Sequence, residues 1–166
     1  MPFAPLASVL PDLAARETRA LYTTNDDGTR GEGFAFTEMF CDEPRCDCRR
    51  VVFQVLSADD PDVLLATLTY GWEPESFYRK WAGFPLGDDD IEELKGPAFM
   101  RFAPQSPEAE RMLVHLRQLL ADPGYVERVV RHYRLFREAV DAKALVKPRS
   151  VISGWRSSSR KRRSRR

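Results

Sequence analysis

Long apolar runs are missing from this 166-residue chain: no stretch approaches the roughly 20 apolar residues a membrane-spanning helix needs, so no membrane contact is expected. The segment from Met1 to Leu21 has no early basic residue, is interrupted by Pro2, Pro5 and Pro11, and holds no apolar core of signal-peptide length. A cytoplasmic protein is expected. Also absent are a glycine-rich phosphate loop, a His-Glu-x-x-His pair and a Gly-x-Ser-x-Gly elbow. The reading therefore favours a non-enzymatic protein, with thiol redox or hydrolytic chemistry as an alternative. Histidine is scarce, at His115 and His132, and cysteine is confined to one place.

What is present fits one domain with a tail: 43% of residues are hydrophobic and 31% charged, enough for an ordinary core. The net charge of +1 conceals a division. Residues 149–166 carry eight basic residues and no acid, which leaves −7 on residues 1–148. A segment so charged and so poor in apolar residues is expected to be disordered. Three stretches follow from this: an N-terminal helix and loop at 1–33, an α+β domain at 34–146, and a disordered basic tail at 147–166.

Within the first stretch, Leu6, Val9, Leu10, Leu13, Ala14 and Leu21 recur at a loose helical period broken by Pro11. Asn25-Asp26-Asp27-Gly28 then reads as a turn. Three apolar, β-branched or aromatic runs, at 34–41, 51–57 and 63–70, read as strands joined by short connections, hence as a three-stranded antiparallel meander. Pro74 opens a helix carrying Phe77, Tyr78 and Trp81. Residues 83–97, with acids from Asp88 to Glu93, read as a solvated loop. Ser106-Pro107 and Asp122-Pro123 are helix starts, followed by apolar stripes at Met112, Leu113, Leu116, Leu119 and Leu120 and at Val126, Val129, Val130, Tyr133, Phe136 and Val140. Packed on the sheet, these two amphipathic helices give an α+β fold. The aromatic set Tyr70, Trp72, Phe77, Tyr78 and Trp81 reads as core at the handover from strand to helix, or as a peptide or base-stacking surface.

All three cysteines lie in one eight-residue window as Cys41-x4-Cys46-x-Cys48. Two thiolates on one tetrahedral zinc, each about 2.3 Å from the metal, lie roughly 3.8 Å apart. Residues two apart on a flat strand are separated by about twice the 3.3 Å rise, so Cys46-Asp47-Cys48 must bend. Pro44 and the polar Asp42-Glu43 supply a bend that brings Cys41 back to Cys48. Three thiolates on Zn(2+) leave one negative charge, for which Arg45, Arg49 and Arg50 are candidate counter-charges. The candidate metal ligands are Cys41, Cys46, Cys48 and, as the fourth, His132, with His115, water or an aspartate as alternatives. Buried thiols packed as small hydrophobes, or a redox-active pair, remain open readings.

The tail suggests a second activity. Arg160, Lys161, Arg162, Arg163, Arg165 and Arg166 can neutralise several phosphates in salt-sensitive, sequence-independent contact with nucleic acid, or merely keep an acidic body soluble.

The cysteine segment through Leu56, together with Thr69-Tyr-Gly-Trp-Glu-Pro74, Phe77-Tyr-Arg-Lys-Trp81 and residues 125–136, resembles a family of uncharacterised bacterial proteins. Some members of that family also carry a SEC-C motif, the small zinc-binding unit at the carboxyl end of the preprotein translocase ATPase. The resemblance spans roughly residues 34–140 and implies a cytoplasmic bacterial protein with a zinc-linked domain and no known reaction. Residues 147–166 contain no cysteine or histidine and so depart from the SEC-C pattern, which puts its chaperone and translocation contacts in doubt for this chain. The sequence thus points to a zinc-binding interaction domain with an unknown protein partner.

Overall fold

The computed structural model describes residues 2–146. The basic stretch, including Arg160, Lys161, Arg162, Arg163, Arg165 and Arg166, lies outside the described residues. The fold is α+β, and its antiparallel sheet is larger than the three strands expected. At its centre stand β3 (Arg30–Cys41), β4 (Arg50–Ser57) and β5 (Leu64–Gly71), antiparallel and adjacent in chain order. Two short N-terminal strands extend the sheet along the free edge of β3. β1 (Phe3–Pro5) pairs with its last residues and β2 (Arg19–Thr24) with its first. On the other side, β6 (Ala98–Phe99) adds two residues to β5.

The segment expected to be one helix is therefore two short helices between edge strands, α1 (Leu6–Val9) and α2 (Pro11–Glu17). Pro11 lacks the N–H a continuous helix would need and instead opens the second one. Arg19 to Thr24 alternate partly buried and exposed, a period of two that the apolar count had hidden.

Strand alternation divides the sheet into two faces. Phe34, Phe36 and Phe40 of β3 share a face with Val51, Phe53 and Val55 of β4 and with Ala66 and Leu68 of β5, and all are buried. Over this face lie α5 (Ala109–Leu120) and α6 (Pro123–Val146). The starts of both follow the local chemistry. Ser106 Oγ accepts the Glu108 N–H at 3.1 Å, and Asp122 Oδ1 accepts the Gly124 N–H at 2.9 Å.

The opposite face is covered in part by α3 (Glu75–Ala82) and by α4 (Asp88–Lys95), a helix where the sequence suggests a loop. Its acids are helix-forming by position: Asp88, Asp89 and Asp90 occupy the first turn, where negative charge meets the positive end of the helix dipole, and Asp90 Oδ2 accepts the Gly87 N–H at 3.0 Å. The single buried apolar residue, Ile91, was too weak a periodic signal to reveal it.

Gly71 closes β5 where this second layer docks. A Cβ there would stand 2.2 Å from Tyr78 Oη and 2.5 Å from the Leu94 carbonyl, so only glycine lets α3 and α4 approach the strand. Gly71→Ala should cost about 1–3 kcal/mol through overpacking. Urea denaturation of the variant checks this, and an unchanged midpoint would mean that the two helices are not held there.

Candidate metal centre

Cys41 ends β3, and Cys46 and Cys48 lie in the loop leading into β4. The loop turns because of local chemistry. The Cys46 N–H donates to the Glu43 carbonyl at 3.2 Å, Pro44 occupies the second position, and Arg45 has φ of 63°, the pattern of a type II turn without the usual glycine. A second reversal at Arg49, φ 44°, sends the chain into β4.

These bends bring the three Sγ atoms within 4.8 Å of one another, close enough to share one metal ion, on which thiolates of a tetrahedral zinc lie roughly 3.8 Å apart. Cys41 and Cys48 are fully buried, Cys46 is partly exposed, and all three are free thiols. The group is electrostatically uneven. Hydrogen bonding from the Cys48 thiol, outweighing burial, holds Cys41 down to about 6, with help from the Glu43 backbone N–H, the Cys46 thiol and the nearby Arg137 charge. Burial pushes Cys46 up, and the hydrogen bond to Cys41 together with burial pushes Cys48 up. A trio with one readily formed thiolate and two protons held beside it can capture a divalent cation, which replaces those protons.

The loop is fixed from behind by a residue absent from the sequence argument. Arg137, nearly buried on α6, donates from Nη1 to the carbonyls of Cys41 at 2.8 Å and Glu43 at 2.9 Å. Its Nη2 pairs with Asp141 at 2.7 Å, and Asp141 Oδ1 also accepts the Arg45 N–H at 2.9 Å. Its signal was present, as a charged residue beside Phe136 in the inward stripe. Arg49, by contrast, is spent on Asp47 and Glu73, at 2.8 and 3.0 Å. Arg45 is exposed, and Arg50 is buried with its charge still favouring the Cys48 thiolate.

His132 is not brought to the thiols. It faces the sheet from α6, fully buried, but its Nδ1 meets Glu38 Oε2 at 2.7 Å and its Nε2 meets Glu17 Oε2 at 3.1 Å, so neither ring nitrogen has a free lone pair for a metal. His115 stacks on Phe34, with Nδ1 3.3 Å from Gln118. Among the described residues, no histidine nitrogen or carboxylate oxygen joins the three sulfurs within 4.8 Å.

Glu38 is the second missed residue. It occupies the core face of β3 between Phe36 and Phe40, a carboxylate out of step with an otherwise apolar parity. His132 is its partner: burial alone would lower the imidazole, but the Glu38 and Glu17 carboxylates outweigh it and raise His132 above its ordinary value of 6.5. Glu17 is lowered in turn, first by Arg131 and then by His132.

Comparison with protein-family models, with curated proteins and with solved structures finds no match to this chain, so the resemblance of the cysteine segment stands on its residues alone.

The raised imidazole sets a direction for pH dependence. A group whose folded pKa exceeds its unfolded value stabilises fully below that unfolded value and loses its contribution as pH rises through the folded one. The His132 contribution should therefore fall as pH is raised from 6.5, so the stability lost in His132→Gln should be largest near pH 6 and shrink toward pH 9. Denaturation midpoints of both proteins between pH 6 and 9 test this. Parallel curves would show that His132 is neutral in the fold.

Proposed function

We propose that this chain is a non-enzymatic, zinc-binding interaction domain of a cytoplasmic protein, with Zn(2+) held by Cys41, Cys46 and Cys48 to pin the first connection between long strands. The observation that carries the reading is that every thiol in the chain falls within one 4.8 Å group at a turn. The donor set fits. Thiolates suit zinc, buried Cys41 and Cys48 are shielded from oxidants, and Arg137 and Arg50 offset the negative charge that three thiolates leave on a divalent ion. The fourth position opens beside partly exposed Cys46, where water or a donor from a partner can complete the tetrahedron. When bound, the metal supplies folding energy by cross-linking the loop.

Elemental mass spectrometry on untagged protein purified under reducing conditions should find one zinc per chain. Cys46→Ser should lose it and melt lower by about 4–8 °C, since roughly 2 kcal/mol is worth that much in a chain of this size. Full zinc content and an unchanged melting temperature in Cys46→Ser would defeat the reading. Absence of metal from both proteins would leave three free thiols and make redox chemistry the leading account.

A second reading rests on the segregation of charge between residues 149–166 and the rest of the chain. The tail is proposed to contact nucleic acid through phosphates alone, so binding should weaken steeply with salt. Deletion of residues 149–166 should abolish retention on single-stranded RNA at 50 mM salt. Retention that survives the deletion would rule this out.

A further inference from the structure

On the face of the sheet opposite the main core, a cleft of about 420 Å³ opens between the start of β4 and the α3–α4 layer, within the range of small-ligand sites. Its walls are largely apolar and aromatic: Trp81, Ala82, Phe84, Leu86 and Leu94. Phe84 is 64% exposed, a large apolar surface that nothing in the chain covers among the described residues. At the sheet end of this cleft lies Arg50.

Arg50 is the anomaly. It is 5% exposed, yet its Nε is buried without a hydrogen-bond partner, and among the described residues its guanidinium forms no salt bridge. Its guanidinium lies over an aromatic face, the Phe3 ring 5.1 Å away. An arginine taken out of water without a partner is costly, and such charges are ordinarily paired. The two acids of the cleft do not serve it, because Asp90 and Glu93 are both engaged by Arg101, at 2.5 and 2.7 Å. The Arg50 charge favours the Cys48 thiolate, but its Nε makes no hydrogen bond to a thiol, and it is Arg137 that braces the cysteine loop. Register places Arg50 opposite Gly71, with Thr69 on the same face, and the Thr69 Oγ1 is likewise buried and unpartnered. A fork of guanidinium donors below an apolar, aromatic wall has the chemistry of a carboxylate site, since arginine matches a carboxylate with two parallel bonds.

We propose that this cleft binds a small organic carboxylate with an aromatic or branched aliphatic body, its carboxylate paired with Arg50 and its body against Trp81 and Phe84. The rim group of Arg101, Asp90 and Glu93 carries one net negative charge, which disfavours a second anionic group at the mouth and so selects monocarboxylates.

The full chain, loaded with zinc, is titrated with 3-phenylpropionate and 4-methylpentanoate and, as uncharged controls, with their amides, following the tryptophan fluorescence and the indole N–H signals. At least one acid should saturate the protein, and its amide should bind at least tenfold more weakly. Arg50→Met should weaken the acid at least tenfold. Phe84→Ala, at a residue largely outside the core, should weaken acid and amide alike by about threefold or more. If Arg50→Met fails to fold, the comparison of acid with amide on the unaltered protein decides. Equal binding of acid and amide, no saturation by either acid, or binding untouched by Phe84→Ala would each overturn the proposal.

Discussion

The structure turns on a buried guanidinium that holds a backbone. Arg137 reaches from α6 to the carbonyls of Cys41 and Glu43, and Asp141, one turn further on, takes both Arg137 and the Arg45 N–H. Three backbone polar groups of a tight loop are thereby held by one helix. The loop can place three thiols together only because its backbone is held, and α6 can supply that hold only because Phe136, Tyr133 and Val129 fix it on the sheet. Packing thus positions the clamp, and the clamp positions the sulfurs.

The same helix makes a second polar contact inside the core. His132 meets Glu38 five residues before Arg137 on α6 and three before Cys41 on β3. Five helical residues rise about 7.5 Å and three strand residues about 10 Å, so helix and strand run nearly in step between the two contacts. Two polar contacts spaced this way fix the register of α6 along β3 more sharply than apolar packing does, since a slip by one turn would leave Glu38 and Arg137 buried without partners. Such a slip costs far more than the repacking of aliphatic side chains.

Much of this was legible in the sequence, and the rest was not, for definable reasons. The central strands announced themselves through Phe34 to Phe40 and Val51 to Val55, where apolar and β-branched residues dominate. The thiol group was legible because three cysteines so close in sequence need only one turn to meet. Edge strands were not, because Phe3-Ala4-Pro5 is too short for a period and Arg19 to Thr24 mixes charge with apolar residues, as edges do. The fourth ligand assigned to His132 failed for a physical reason. Sequence shows that a histidine faces inward, but not that a carboxylate from a distant strand waits there, and Glu38 lies 94 residues away.

The chain passes from one kind of chemistry to another in three residues. Cys48 belongs to the thiol group, Arg49 turns outward to Asp47 and Glu73, and Arg50 enters the cleft. Arg49 makes the passage possible with its positive φ, and the Arg49 carbonyl is held at 2.9 Å by Tyr78 Oη, which in turn accepts the Glu73 N–H at 3.2 Å. Tyr78 is buried where α3 meets Gly71, so the hydroxyl fixing this crossing belongs to the layer that walls the cleft. A non-glycine residue held in the left-handed region is strained and persists only where its surroundings over-determine it. Here they do so from two sides, by the thiol loop before it and by Tyr78 after it. The position of the Arg50 guanidinium is therefore set jointly by both, and the cysteine turn and the cleft form one mechanical unit.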